Sequence, residues 1–113
     1  MKKSSLTILF FILFYCTHAQ QEFMLKSDNF EHYADYFNSI DDEPIKNLIS
    51  NDESWDWMQE NIPLFECPDK EIEEIYYYRW WIYRKHIKNT PSGYVITEFL
   101  PEVRHAKKYN TIF

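Results

Sequence analysis

Residues 76–86 read YYYRWWIYRKH, and the way this stretch folds decides the rest of the chain. Six of the eight residues from Tyr76 to Tyr83 are aromatic, and Arg84, Lys85 and His86 follow. At helical spacing Tyr76, Trp80 and Tyr83 share one face, Tyr77, Trp81 and Arg84 the next, and Tyr78 and Ile82 a third. A helix that is apolar nearly all round is enclosed by protein. Yet each Tyr and Trp also carries a polar group that needs a partner when buried. Two readings follow: a core helix, or the wall of a sugar site, where flat rings meet the C–H faces of a sugar and polar groups meet its hydroxyls.

The flanks of the stretch support a helix over Pro68 to Lys88. Pro68 suits a first turn. Asp69, Glu71, Glu73 and Glu74 stand near the positive end of the helix dipole, and Arg84, Lys85, His86 and Lys88 near the negative end. Upstream, Pro63 to Pro68 is a connector closed by a proline at each end; its large apolar Leu64 and Phe65 must either pack or bind. Asn51–Asp52 starts another helix, Glu53 to about Asn61, with Trp55, Met58 and Ile62 on one face and Trp57 off it. Ser27 to Ile40 reads as a helix, with Phe30, Tyr33, Ala34, Phe37 and Ile40 in register. Ser27 or Asp28 can cap it, and Glu31 is placed as in a capping box. Asp41 to Pro44 ends that helix, as a solvated loop, and Pro44 to Ile49 reads as a short helical turn. Downstream, Asn89 to Gly93 is a turn cluster, Tyr94 to Phe99 is extended and β-prone, and Ala106 to Lys108 reads as a loop or short helix.

The first nineteen residues read as a leader rather than as part of the fold. Lys2 and Lys3 precede an apolar run, Leu6 to Cys16, and Thr17–His18–Ala19 offers small residues for cleavage. The run is shorter than the ~20 apolar residues of a spanning helix. Cleavage after Ala19 is expected, with residues 20–113 forming the secreted or periplasmic chain; a lipoprotein acylated at Cys16 is the alternative. Net charge is −6 for 113 residues, and removing Lys2 and Lys3 makes it 10 − 18 = −8. An acidic chain has no electrostatic reason to bind nucleic acid, and no membrane contact is expected after cleavage. Only Cys67 then remains, so no internal disulfide is available. No cofactor or metal is expected: His32, His86 and His105 make no ligand pattern, Asp41–Asp42–Glu43 lacks the alternation of a calcium loop, and Cys67 has no base partner.

The segments IPLFECPDKEIEEIYYYRWWIYRKHI, GYVITEFLPEV and KYNTI resemble the beginning of a bacterial six-hairpin glycosidase of the mannosylglycerate-hydrolase-like kind. The resemblance runs from about Phe30 to Ile112 and is most specific from Ile62 to Ile87. It implies a mostly α fold, the first hairpins of an (α/α)6 toroid with a short extended segment. It also implies hydrolysis of a glycosidic bond by a general acid and a general base contributed by later parts of such a domain. The expected partners are carbohydrate and the remainder of the barrel. The positions expected to line or support a sugar site are Phe65, Asp69, Tyr76, Arg79, Trp80 and Glu98; a structural role stands beside substrate contact for each. Asp69 also reads as a favourable dipole charge, and Glu98 as a hydrogen-bonding group or a partner for Arg79. The competing expectation is a small secreted helical module that binds without chemistry.

Overall fold

The computed structural model describes residues 24–101, 103–105 and 109. The expected leader, the acylation alternative at Cys16 and the expectation for Ala106 to Lys108 lie outside these residues. Described are a short 3-10 turn, Ser27–Asn29, and three helices: α1 (Glu31–Ser39), α2 (Ser54–Asn61) and α3 (Lys70–Lys85). A hairpin of β1 (Ile87–Thr90) and β2 (Gly93–Ile96) follows. The described chain is thus mostly helical with one short extended unit, as expected. Three helices do not by themselves define a toroid.

Helix α3 is the element against which both α1 and α2 pack. Asp69 starts it. Its backbone is extended, and its carboxylate accepts from the N–H groups of Glu71 (3.0 Å) and Ile72 (3.4 Å), satisfying two donors that the first turn leaves open. Asp69 is therefore a cap, and the helix begins at Lys70 rather than Pro68. It ends at Lys85 rather than Lys88. His86 turns the chain, and Ile87–Thr90 pairs antiparallel with Gly93–Ile96 in the register Ile87↔Ile96 to Thr90↔Gly93. The turn cluster is short enough to close this hairpin, and Gly93 takes φ +112°, a value open to glycine. The Thr90 hydroxyl donates to the Gly93 carbonyl at 2.8 Å across the turn.

The entry to α1 differs from expectation. The 3-10 turn is separate, α1 begins at Glu31, and no side chain caps it. Ser27 donates instead to Asp28, so the capping box does not form. Phe30, at the junction, turns into the core and stacks on Tyr77 with centroids 5.2 Å apart, which fixes the path of the chain there. Ile40 lies past the last residue of α1 and is exposed. Trp55 and Met58 of α2 and Ile62 just past its end are buried and Trp57 is half-buried, as their spacing implies.

The core is largely aromatic. Tyr77 is fully buried, with the rings of Tyr33 (5.1 Å), Phe30 (5.2 Å) and Trp55 (6.4 Å) around it. Its hydroxyl accepts from the Phe65 N–H and donates to the Phe65 carbonyl (3.0 and 2.9 Å), so the connector is tied to the centre of the core. Burial pushes this phenol up to about 12. Buried Glu73 accepts from the Tyr33 hydroxyl (2.8 Å), the Cys67 N–H (2.8 Å) and Lys70 (2.9 Å). Burial pushes its carboxyl up, but these three bonds outweigh it and leave the group below the usual carboxylate range.

The segment from Asp41 to Asn51 is neither a solvated loop nor a helical turn, because the far end of α3 organises it. Lys85 and Arg84 are not merely dipole charges at a helix end; both are buried. Lys85 pairs with Asp41 at 2.6 Å. Arg84 donates to the Ile49 carbonyl (2.7 Å) and to the Asn51 side chain. Asn51 donates to Asp41 at 2.8 Å, and its own N–H reaches Glu43 at 3.0 Å. Asn38 joins the helices: it bonds the Asn51 carbonyl (2.9 Å) and Ser54 (3.1 Å) and accepts from the Trp81 indole (2.8 Å).

The hydrogen bond from Lys85, assisted by Asn51, holds the Asp41 carboxyl below its ordinary range. Asp41 and Glu73 thus bind protons less readily folded than unfolded. Their contribution to stability is complete above the unfolded carboxylate values of about 4 and is lost as pH falls through the lower folded ones. Replacing Asp41 with Asn is expected to cost about 1.5–3 kcal/mol at neutral pH and to flatten the acid limb of the stability curve. Urea unfolding at a series of pH values checks this, and an unchanged acid limb would refute it. Asp69→Ala is expected to lower stability by ~1 kcal/mol through loss of the cap, read as a shift in the urea midpoint.

Candidate functional site

An open groove of about 550 Å³ lies where the last turns of α3 meet the hairpin. Its lining is Arg79, Trp80, Ile82, Tyr83 and His86 on one side and Ile96, Thr97 and Glu98 on the other. The hairpin creates it by turning the chain back along the end of α3. Thr97 closes this return: its N–H donates to the His86 carbonyl (2.9 Å), and its carbonyl lies 2.8 Å from His86 Nδ1. A carbonyl only accepts, so Nδ1 carries a proton and donates it to Thr97.

Three of the six residues expected at a sugar site, Arg79, Trp80 and Glu98, come together in this groove. Tyr76 and Phe65 continue it as an aromatic row: Tyr83 meets Trp80 edge-on at 5.5 Å, Trp80 meets Tyr76 at 6.5 Å, and Tyr76 meets Phe65 at 4.9 Å. The Tyr76 hydroxyl is committed to the Pro63 carbonyl, so this residue presents only its ring. Burial pushes its phenol up. Asp69 stands apart. It caps the opposite end of α3, about 15 Å from Arg79 at the rise of an α-helix, and does not line the groove.

Arg79 and Glu98 are exposed, and among the described residues neither takes part in an ion pair. The expected pairing between them does not form, because Arg79 points out from α3 rather than into the core and needs no counter-ion there. Glu98 is the single carboxylate among the lining residues, whereas glycoside hydrolysis uses two. Among the described residues, no group of three or more His, Cys, Asp or Glu side chains is placed to hold a metal ion. No helix among them is long and apolar enough to cross a membrane.

Tyr83, His86 and Thr97 were not among the expected site residues. Tyr83 shares a helical face with Tyr76 and Trp80, so its place was legible from spacing. His86 and Thr97 meet only through the hairpin. Enclosure of α3 is also partial. Its inward face carries Glu73, Tyr77, Trp81, Arg84 and Lys85, whereas Ile72, Ile75, Tyr78 and Tyr83 remain 52%, 56%, 43% and 37% exposed.

Comparison with protein families and with curated proteins returns no match. Among solved structures, a sialidase is 55% identical and superposes with a TM-score of 0.75. The match covers 79% of this chain and 8% of that one, so the chain spans a small part of the length of the sialidase it resembles.

Proposed function

We propose that this chain is a segment of a secreted glycoside hydrolase, placed at the start of a six-hairpin (α/α)6 domain, and that it contributes a carbohydrate-facing surface. The observation that carries this reading is the match to a sialidase, a glycosidase, at 55% identity over 79% of the chain. The open side of α3 supports it: Ile72, Ile75 and Tyr78 form an exposed apolar face of the kind further helices of a toroid would cover. Trp80, Tyr83 and Tyr76 would stack on sugar rings, and Arg79 and Glu98 would bond hydroxyls. Phe65 would support the Tyr76 ring. Hydrolysis would use a general acid and a general base from elsewhere in the domain, in the inverting geometry usual for such barrels. Residues 1–19 would direct export, leaving a chain that begins at Gln20.

A second reading is a small secreted helical module that binds saccharide without chemistry. It is favoured by the polar network of Asp41, Asn51, Arg84 and Lys85, whose bonds join residues of this chain. One preparation of the exported chain separates the two. N-terminal sequencing should begin at Gln20, and a panel of aryl glycosides should show no turnover. Turnover by this chain alone would sink both readings. A sharp, cooperative melt without dye-binding apolar surface favours the module; a broad melt with strong dye binding favours the segment of a larger domain.

A further inference from the structure

The outward stripe of α3 is self-complementary about Ile75. Ile72, Ile75 and Tyr78 are exposed and follow one another at three-residue spacing, so they share one side of the helix. Three positions either side of Ile75 stand Ile72 and Tyr78, both apolar; four positions either side stand Glu71 and Arg79, of opposite charge. Glu71 and Arg79 are exposed, and among the described residues neither takes part in an ion pair. Tyr36, exposed on α1, widens the stripe through Phe37, whose ring lies 5.6 Å from Tyr36 and 5.2 Å from Tyr78. A second α3 laid antiparallel and crossing at Ile75 sets Ile75 against Ile75 and Ile72 level with Tyr78. It also sets Glu71 of each copy level with Arg79 of the other, about 6 Å along the helix from the crossing point. A two-fold axis makes that pairing twice. A parallel arrangement would instead set Glu71 against Glu71 and Arg79 against Arg79. We propose that two copies of this chain associate through the stripe, antiparallel, with Ile75 on the two-fold axis and a Glu71–Arg79 pair at each end. The patch is roughly half of the ~800 Å² per partner of a standard interface, so the dimer is weak and concentration-dependent. The acidic balance of the chain opposes association of two copies, which leaves the local pairs to set the orientation. Arg79 also lines the groove, so the dimer and a groove ligand draw on the same guanidinium. The proposal does not rest on the saccharide reading; within a larger domain, further helices would take the place of the second copy.

The test follows the exported chain by sedimentation equilibrium over micromolar to millimolar concentrations in about 0.15 M salt. A monomer–dimer equilibrium with Kd on the order of 0.05–1 mM is expected. Ile75→Lys should be monomeric throughout. Glu71→Arg and Arg79→Glu, taken singly, should each weaken the dimer about five- to thirtyfold, because two attractive pairs become two repulsive ones. An equimolar mixture of these two variants should associate again, since every Arg then meets a Glu, and the double variant Glu71→Arg/Arg79→Glu should recover self-association. All three positions are exposed, so circular dichroism should find the variants folded, and recovery in the double variant excludes misfolding as the cause of a loss. A chain that stays monomeric at millimolar concentration would overturn the proposal and leave the saccharide reading standing. So would a monomer whose stripe binds an apolar dye in the native chain but not in Ile75→Lys, the outcome in which only further helices cover α3. A dimer indifferent to Ile75→Lys uses another face, and one not recovered by mixing or by the double variant is not antiparallel; either result refutes the proposal.

Discussion

The structure depends on the inward face of α3, where large rings and charged groups are buried side by side. Tyr77 lies at the centre of the aromatic core, and its hydroxyl is satisfied twice over by the backbone of Phe65. One turn earlier, Glu73 gathers the Tyr33 hydroxyl, the Cys67 N–H and Lys70. One turn later, Trp81 bonds Asn38 through its indole and lies under Arg84 and Lys85, at 5.0 and 4.0 Å from its ring. Each buried polar atom constrains a different stretch of chain. Leaving one unsatisfied would cost about 1–3 kcal/mol, so the connector, α1 and the 41–51 segment have little freedom to move independently of α3.

Arg84 shows what this arrangement demands. It is fully buried, and its guanidinium bonds a carbonyl and an amide oxygen rather than a carboxylate. Burial pushes its pKa down to about 10, with Glu43, Asp41 and Glu53 opposing through space. Its Nε finds no partner among the described residues. A buried cation so placed stabilises little by itself, yet it sets the path of Ile49 and Asn51. The benefit is geometric: the end of α3 becomes a fixed post from which Trp80, Tyr83 and His86 project and against which the hairpin returns.

Among the described residues, the opposite side of α3 carries no such buried polar groups. Ile72, Ile75 and Tyr78 are half-exposed along a helix whose other side is sealed. The groove begins on the boundary between these two sides, where rings are neither buried nor bare. Aromatic groups there can stack on a ligand because core packing does not consume them. The proposed covering of α3 by further helices would seal the apolar stripe and deepen that boundary.

The sequence by itself determined the helical character of the chain, the three main apolar faces and the aromatic row. Periodicity and side-chain type are local properties, and Trp55, Met58 and Ile62, or Tyr76, Trp80 and Tyr83, can be aligned without knowing what they touch. It also brought Arg79, Trp80 and Glu98 forward, through resemblance rather than spacing. Tertiary structure decided which face of α3 points inward. It made Asp69 a cap and Arg84 and Lys85 core residues, and it ended the helix early so that Ile87–Thr90 could pair with Gly93–Ile96. Those outcomes rest on contacts between residues distant in the chain, such as Lys85 with Asp41 and Arg84 with Asn51. The balance between a charged group's burial and its bonds exists only once those partners have met.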